Sequence, residues 1–148
     1  MFAQAADALA YAHSQGVIHR DVKPGNLLLD ANGTLWVADF GLARAIEHED
    51  LTQAGDVVGT LRYMAPEQFH GEGDERSDVY SLGITLYELS LLRPAFVESR
   101  GSLVRAVTEQ PLPPPRRLRP DLPADLETII LKATAREPLH RYESAAAL

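Results

Sequence analysis

Apolar and polar positions alternate with different periods along the 148 residues. From residue 2 to 13, Phe2, Ala5, Ala6, Leu9, Ala12 and His13 recur at helical spacing with Ala-rich filling, and Gly16 follows as a stop; this predicts a helix. "NLLLD" and "LWVAD" have strand length and are joined at Asp30-Ala31-Asn32-Gly33, where Asn-Gly favours the positive φ angles of a tight hairpin turn. "SDVYSLGITLYEL" is apolar nearly all round, the pattern of a helix buried at the centre of a domain. Pro123-Ala124-Asp125 opens another helix, with Leu126, Ile129, Ile130 and Ala133 inward and Pro138 ending it. Two stretches lack a period. Residues 42–62, polar and acidic in the middle (Glu47, Glu49, Asp50), are expected to form a long functional loop. Pro111 to Pro123, with six prolines beside Arg116, Arg117 and Arg119, is expected to be an extended, solvated connection. The expected class is therefore mainly α with one small β-hairpin (α+β), and no internal repeat.

Composition narrows the function classes. With 45% apolar residues the chain can build a core, and with no cysteine it has no disulfide framework, thiolate metal site or Cys nucleophile. A net charge of -7 weighs against a protein built to neutralise nucleic acid or anionic lipid. No apolar run approaches the roughly 20 residues of a membrane span. The opening residues lack a basic signal-peptide region, so a cytoplasmic location is expected, with a full-length protein anchored in a membrane and this part inside left open. His48, His70 and His140 are scattered without metal spacing, and Asn32-Gly33-Thr34 reads as a turn in place of a glycosylation acceptor.

The candidate chemistry lies around the hairpin. "VIHRDVKPGNLLLD" places Asp21 and Asn26 five residues apart before the first strand, and the second strand ends in Asp39-Phe40-Gly41. A hairpin brings its two ends side by side, so Asp21, Asn26 and Asp39 can converge on one small volume. Oxygen-bearing side chains without Cys or paired His suit a hard cation such as Mg²⁺, which takes one or two carboxylates together with substrate phosphates. Lys23 would project toward the same volume and neutralise charge on a moving phosphoryl group.

These residues resemble a known family. His19-Arg20-Asp21 with Asn26, then Asp39-Phe40-Gly41, then Ala65-Pro66-Glu67, are similar in order to the catalytic-loop, magnesium and P+1 elements of eukaryotic-like protein kinases. Lys23-Pro24, "GTLRYMAPEQ" and "SDVYSLGITLYEL" resemble the bacterial serine/threonine branch. The resemblance implies one kinase domain over 1–148, its helical C-terminal lobe only, with a catalytic loop at 19–26, the magnesium triplet at 39–41, an activation and P+1 loop at 42–67 and a helical subdomain at 74–148. It implies ATP and Mg²⁺ as cofactors and protein Ser/Thr hydroxyls as substrates. Asp21 would accept the hydroxyl proton, Asn26 and Asp39 would hold Mg²⁺, and Lys23 would steady the γ-phosphoryl group. Thr60 would bond both Asp21 and Lys23, and Leu28 would floor the adenine ring. His19 and Phe40 would stack in a hydrophobic column tied at its base to Asp78. Glu67 and Arg141 would form a buried ion pair, and Arg20 would receive a phosphate carried by Thr52.

The sequence departs from the family in one respect. It contains no G-x-G-x-x-G, strand lysine or helix glutamate of the small lobe, so the expectation is a fragment of a longer kinase, inactive alone and prone to self-association, with homodimerisation or autophosphorylation in trans. Two other readings stay open: a noncatalytic kinase-like binding module or decoy, and a small-molecule phosphotransferase.

Overall fold

A computed structural model describes residues 2–40, 59–97 and 100–148. Helix α1 (Phe2–Ser14) buries Ala5, Ala6, Leu9, Ala12 and His13, the face its spacing predicts. It closes in a Schellman motif: Gly16 takes φ +74°, and Val17 N–H returns to the Ala12 carbonyl at 3.0 Å. Strands β1 (Leu27–Leu29) and β2 (Leu35–Val37) form the one antiparallel sheet among the described residues, with Leu28 opposite Trp36. Leu27, Leu35 and Val37 pack toward α1, whereas Leu28 and Trp36 share the open face, 53% and 60% exposed.

The hairpin turn differs from the sequence expectation. Gly33 N–H bonds Asp30 O at 3.1 Å and Asp30 N–H bonds Thr34 O at 2.9 Å, so the loop is Ala31-Asn32-Gly33 and only Gly33 has a positive φ, +82°. This is a three-residue loop, a turn followed by one left-handed residue, and not a two-residue Asn-Gly turn. Asp30 dictates it: its Oδ1 accepts the Asn32 and Thr34 N–H groups at 2.8 and 2.9 Å, which caps the loop from inside.

Helix α2 (Glu75–Leu91) starts at Asp74, whose side chain accepts the Arg76 N–H, and is buried without interruption from Ser77 to Tyr87. An apolar helix with no polar face needs cover on every side, and three clusters supply it. Val79 and Leu82 meet α1 and the hairpin; Tyr80 and Ile84 meet Phe96, Leu103, Ala106 and Val107; Leu86 and Tyr87 meet Ile130. Helix α3 (Arg100–Glu109) supplies Leu103, Ala106 and Val107, a helical spacing that the sequence reading passed over. The proline-rich stretch is a correction: Pro115–Leu118 form a helical turn, α4, with Pro115 buried and the Arg116 N–H bonded to Glu127 at 2.8 Å. Proline at the first helical position lacks only an N–H that has no partner there anyway. Helix α5 (Ala124–Ala133) follows Pro123 as expected and buries Ile130 and Ala133. No helix among the described residues is long and apolar enough to cross a membrane. The chain is thus mostly helical around α2, with the two-stranded sheet held beside α1.

Candidate active site

The site is built outward from Asp78, which is fully buried on the first turn of α2. A buried carboxylate persists only if its lone pairs are occupied, and here three donors occupy them. Oδ2 accepts the His19 backbone N–H at 2.8 Å and faces His13 Nε2 at 2.8 Å; Oδ1 accepts the Arg20 N–H at 2.8 Å. The chain just before Asp21 is therefore bolted to the central helix. His19 continues the connection. Its Nδ1 accepts the Asp21 N–H at 3.2 Å, which leaves the ring proton on Nε2 to be donated to the Ala38 carbonyl at 2.8 Å. The neutral tautomer of a fully buried ring so links the loop before β1 to the end of β2. Phe40 lies against that ring with centroids 4.5 Å apart, as the expected column requires.

Asp21, Lys23, Asn26 and Thr60 are brought together. Asp21 Oδ2 accepts Lys23 Nζ at 2.8 Å and Asn26 Nδ2 at 3.1 Å; Asn26 Nδ2 also donates to the Asp21 carbonyl at 2.7 Å. With its amide nitrogen spent on Asp21, Asn26 has its side-chain oxygen left for another ligand. Lys23 Nζ also donates to Thr60 Oγ1 at 2.9 Å. Of the two bonds expected of Thr60, that to Lys23 forms; the second is absent, because Asp21 Oδ1 is buried with no partner. An orphaned carboxylate oxygen is costly, and such an atom suits a site that awaits a donor from a ligand.

The hairpin returns the chain to Asn26 just before Asp39. Ala38 N–H bonds the Asn26 carbonyl at 2.9 Å, so the residue after Ala38 leaves the sheet beside Asn26. Asp39 takes φ +61° and is exposed. No cluster of three or more His, Cys, Asp or Glu suited to a metal exists among the described residues. Asn26 and Asp39 both carry side-chain oxygens, the ligand type that suits a hard cation which also takes phosphate oxygens. Leu28, expected beneath an adenine ring, lies on the half-exposed outer face of β1. Arg20 is partly buried at φ +69°. Thr52 and Gly41 lie outside the described residues.

The Glu67–Arg141 pair forms as expected. Arg141 Nη1 and Nη2 reach the two Glu67 oxygens at 2.6 and 2.7 Å, a bidentate fork. The three remaining N–H groups donate to the carbonyls of Ala135, Arg76 and Arg136 at 2.7, 3.0 and 2.8 Å. Burial alone would raise the Glu67 carboxyl, but the hydrogen bonds from Arg141 and Ser77 hold it below the usual carboxylate value. This pair fastens the segment after Thr60 to the C-terminal residues. Tyr63 secures the same segment, donating its hydroxyl to Glu88 at 2.7 Å, while burial and then Glu88 raise its pKa. Sequence reasoning assigned no role to His13 beyond its place on an apolar face. Its signal was a titratable ring at a core position of α1, legible only once α2 was known to carry a buried acid.

Comparison with known proteins identifies the relatives of this chain. Residues 1–145 match the protein kinase domain family. The chain is 44% identical to serine/threonine-protein kinase PknB of Mycolicibacterium smegmatis over 99% of its length, and 45% identical to PknB of Mycobacterium leprae over 97%. It is 42% identical to serine/threonine-protein kinase PrkC of Bacillus subtilis over 96%. The chain spans only 24%, 24% and 22% of those relatives.

Proposed function

Because the chain belongs to the protein kinase domain family, we propose that it forms the helical C-terminal lobe of a serine/threonine protein kinase that moves the γ-phosphoryl group of ATP to protein hydroxyls. The observation that carries this reading is the Asp21 carboxylate: one oxygen is fixed by Lys23 and Asn26, the other is buried without a partner. A substrate Ser or Thr hydroxyl donating to Oδ1 would satisfy that orphan and be oriented for attack. Asp21 then takes the hydroxyl proton, a role that needs position more than a raised pKa, as the new P–O bond forms and the bond from the γ-phosphorus to the β–γ bridging oxygen breaks, releasing ADP. Lys23, already paired with Asp21 and Thr60, offers its positive charge where phosphoryl oxygens would lie. Asn26 and Asp39 would hold Mg²⁺, which when bound supplies charge neutralisation on the phosphates. The open face of Leu28 and Trp36 would meet the nucleotide or further protein.

On this reading 19–26, 39–41, 42–67 and 74–148 take the roles the resemblance implies, and Arg20 receives a phosphate on Thr52. Autophosphorylation in trans and a cytoplasmic location belong to the same proposal. The unfilled Asp21 oxygen beside a charged lysine favours catalysis over a decoy role.

The test is incubation of the full-length gene product with γ-labelled ATP, Mg²⁺ and a generic Ser/Thr protein substrate. Asp21→Asn keeps the shape and the Asn26 contact but removes the base, and labelling should fall by about a hundredfold or more. Equal labelling by both forms refutes the assignment. Transfer to a small-molecule hydroxyl but to no protein would favour the phosphotransferase reading.

A further inference from the structure

Arg62 stands two residues after Thr60, on the segment that leads from the catalytic group to Glu67. Its neighbours are fixed. Tyr63 N–H bonds the Thr60 carbonyl at 3.1 Å, Ser81 Oγ donates to the Tyr63 carbonyl at 2.7 Å, and the Ala65 N–H bonds Gln68 Oε1 at 2.8 Å. Arg62 is therefore presented from a rigid backbone, and Thr60 ties that backbone through Lys23 to Asp21. The side chain itself is unsatisfied. Its Nε is shut off from solvent with no hydrogen-bond partner, and no carboxylate lies within ion-pair reach among the described residues. Arg141, by contrast, spends all five of its N–H groups on protein oxygens. Glu88, the acid beside Tyr63, is engaged by the Tyr63 hydroxyl at 2.7 Å. A guanidinium with a buried, unused donor is an incomplete arrangement; an oxygen acceptor would complete it, and a carboxylate makes the stronger, charge-assisted bond.

We propose that Arg62 is a specificity-determining residue that binds a carboxylate side chain of the substrate polypeptide, next to the Ser or Thr presented to Asp21. The inference rests on the kinase reading and names its substrate class: acceptors flanked by Asp or Glu. The planar fork of arginine matches a carboxylate in two hydrogen bonds, whereas a basic flanking residue would be repelled by the same charge. Specificity of this kind arises from a difference between partners and not from overall affinity.

The experiment uses the full-length gene product and paired peptides that differ only at one position from three before to three after the acceptor, Ala in one and Glu in the other. The readout is the ratio of kcat/KM for the Glu peptide to that for the Ala peptide, with the ratio of equilibrium binding constants by calorimetry as a second measure. The native protein should favour Glu about tenfold or more at one position, as a charged hydrogen-bonded pair provides. Arg62→Gln should bring the ratio to about one, and Arg62→Glu should reverse it toward a Lys peptide. A native ratio near one at every position overturns the inference, as does a preference that survives Arg62→Gln. Binding discrimination without phosphoryl transfer upholds Arg62 as the acid-reading residue while defeating the kinase reading, so the two failures are separable.

Discussion

Arg141→Leu removes five hydrogen bonds at once and leaves Glu67 buried with Ser77 as its one side-chain donor at 2.7 Å. Glu67 retains 12% side-chain exposure, so water reaches it poorly. Removing one partner of a buried ion pair costs about 3–5 kcal/mol, because the survivor is left charged and undersolvated. Arg141→Lys keeps the charge but offers three donors where five are used, and should cost about 1.5–3 kcal/mol. Replacing both partners by leucine should cost less than the sum of the single changes by at least about 2 kcal/mol, since the uncompensated charge disappears with its partner.

The pH dependence adds an independent sign. In the native protein the Glu67 carboxyl lies below its usual value of 4.5, so its contribution is present above that value and fades as pH falls through the folded-state value. In Arg141→Leu the Arg141 bonds that lowered it are gone and only the Ser77 bond opposes the raising effect of burial, so the variant gains as acid neutralises the group. The gap between the two proteins should therefore be widest near pH 7 and narrower at pH 4. Urea unfolding followed by far-ultraviolet circular dichroism at both pH values measures it. A loss under about 1 kcal/mol for Arg141→Leu, or a gap that widens in acid, refutes the reasoning.

Two further substitutions test the packing. A Cβ on Gly83 would meet Ala133 Cβ and Thr134 Cγ2 at 2.8 Å each, so Gly83→Ala should destabilise by about 1–2 kcal/mol despite the better helix propensity of alanine, and a rise in urea midpoint would refute the close approach. Leu92 ends α2 at φ +54° with 85% exposure, so Leu92→Gly relieves left-handed strain without loss of packing and should raise the melting temperature by the equivalent of about 0.5 kcal/mol; a lower value would show that Leu92 makes a stabilising contact.

Long elements were legible because their pattern was redundant. The continuous apolar run of α2 demanded burial, and Ser77 to Tyr87 are buried. Short elements were not. Leu103, Ala106 and Val107 of α3 carry a helical spacing that is too brief to stand out beside Gly101 and Arg105. The turn at Asp30 to Gly33 followed the Asp30 side chain in place of the Asn-Gly preference, a competition between two local signals that only the hydrogen bonds resolve. At the site, Asp21, Lys23 and Asn26, which the structure brings together, were readable from their order, while their support was not. Neither His13 nor Ser77 declares that it will bond an acid on a distant element, at 2.8 Å to Asp78 and 2.7 Å to Glu67.

What local rules miss is also what the site needs. Arg20 and Asp39 both adopt positive φ, an unfavourable conformation for residues with side chains; Arg20 immediately precedes Asp21, and Asp39 follows Ala38, whose N–H bonds the Asn26 carbonyl. Such strain persists only where surrounding structure overrides it. Asp78 does so at Arg20 by holding its N–H and that of His19 in one carboxylate; the Ala38 bonds to His19 and Asn26 do so just before Asp39. Both constraints run through His19, which also orients the Asp21 backbone. The central helix thereby constrains the backbone at Arg20, just before Asp21, and through His19 the backbone just before Asp39. The stability of α2 and the placement of Asp21 and Asp39 are, for that reason, one physical problem.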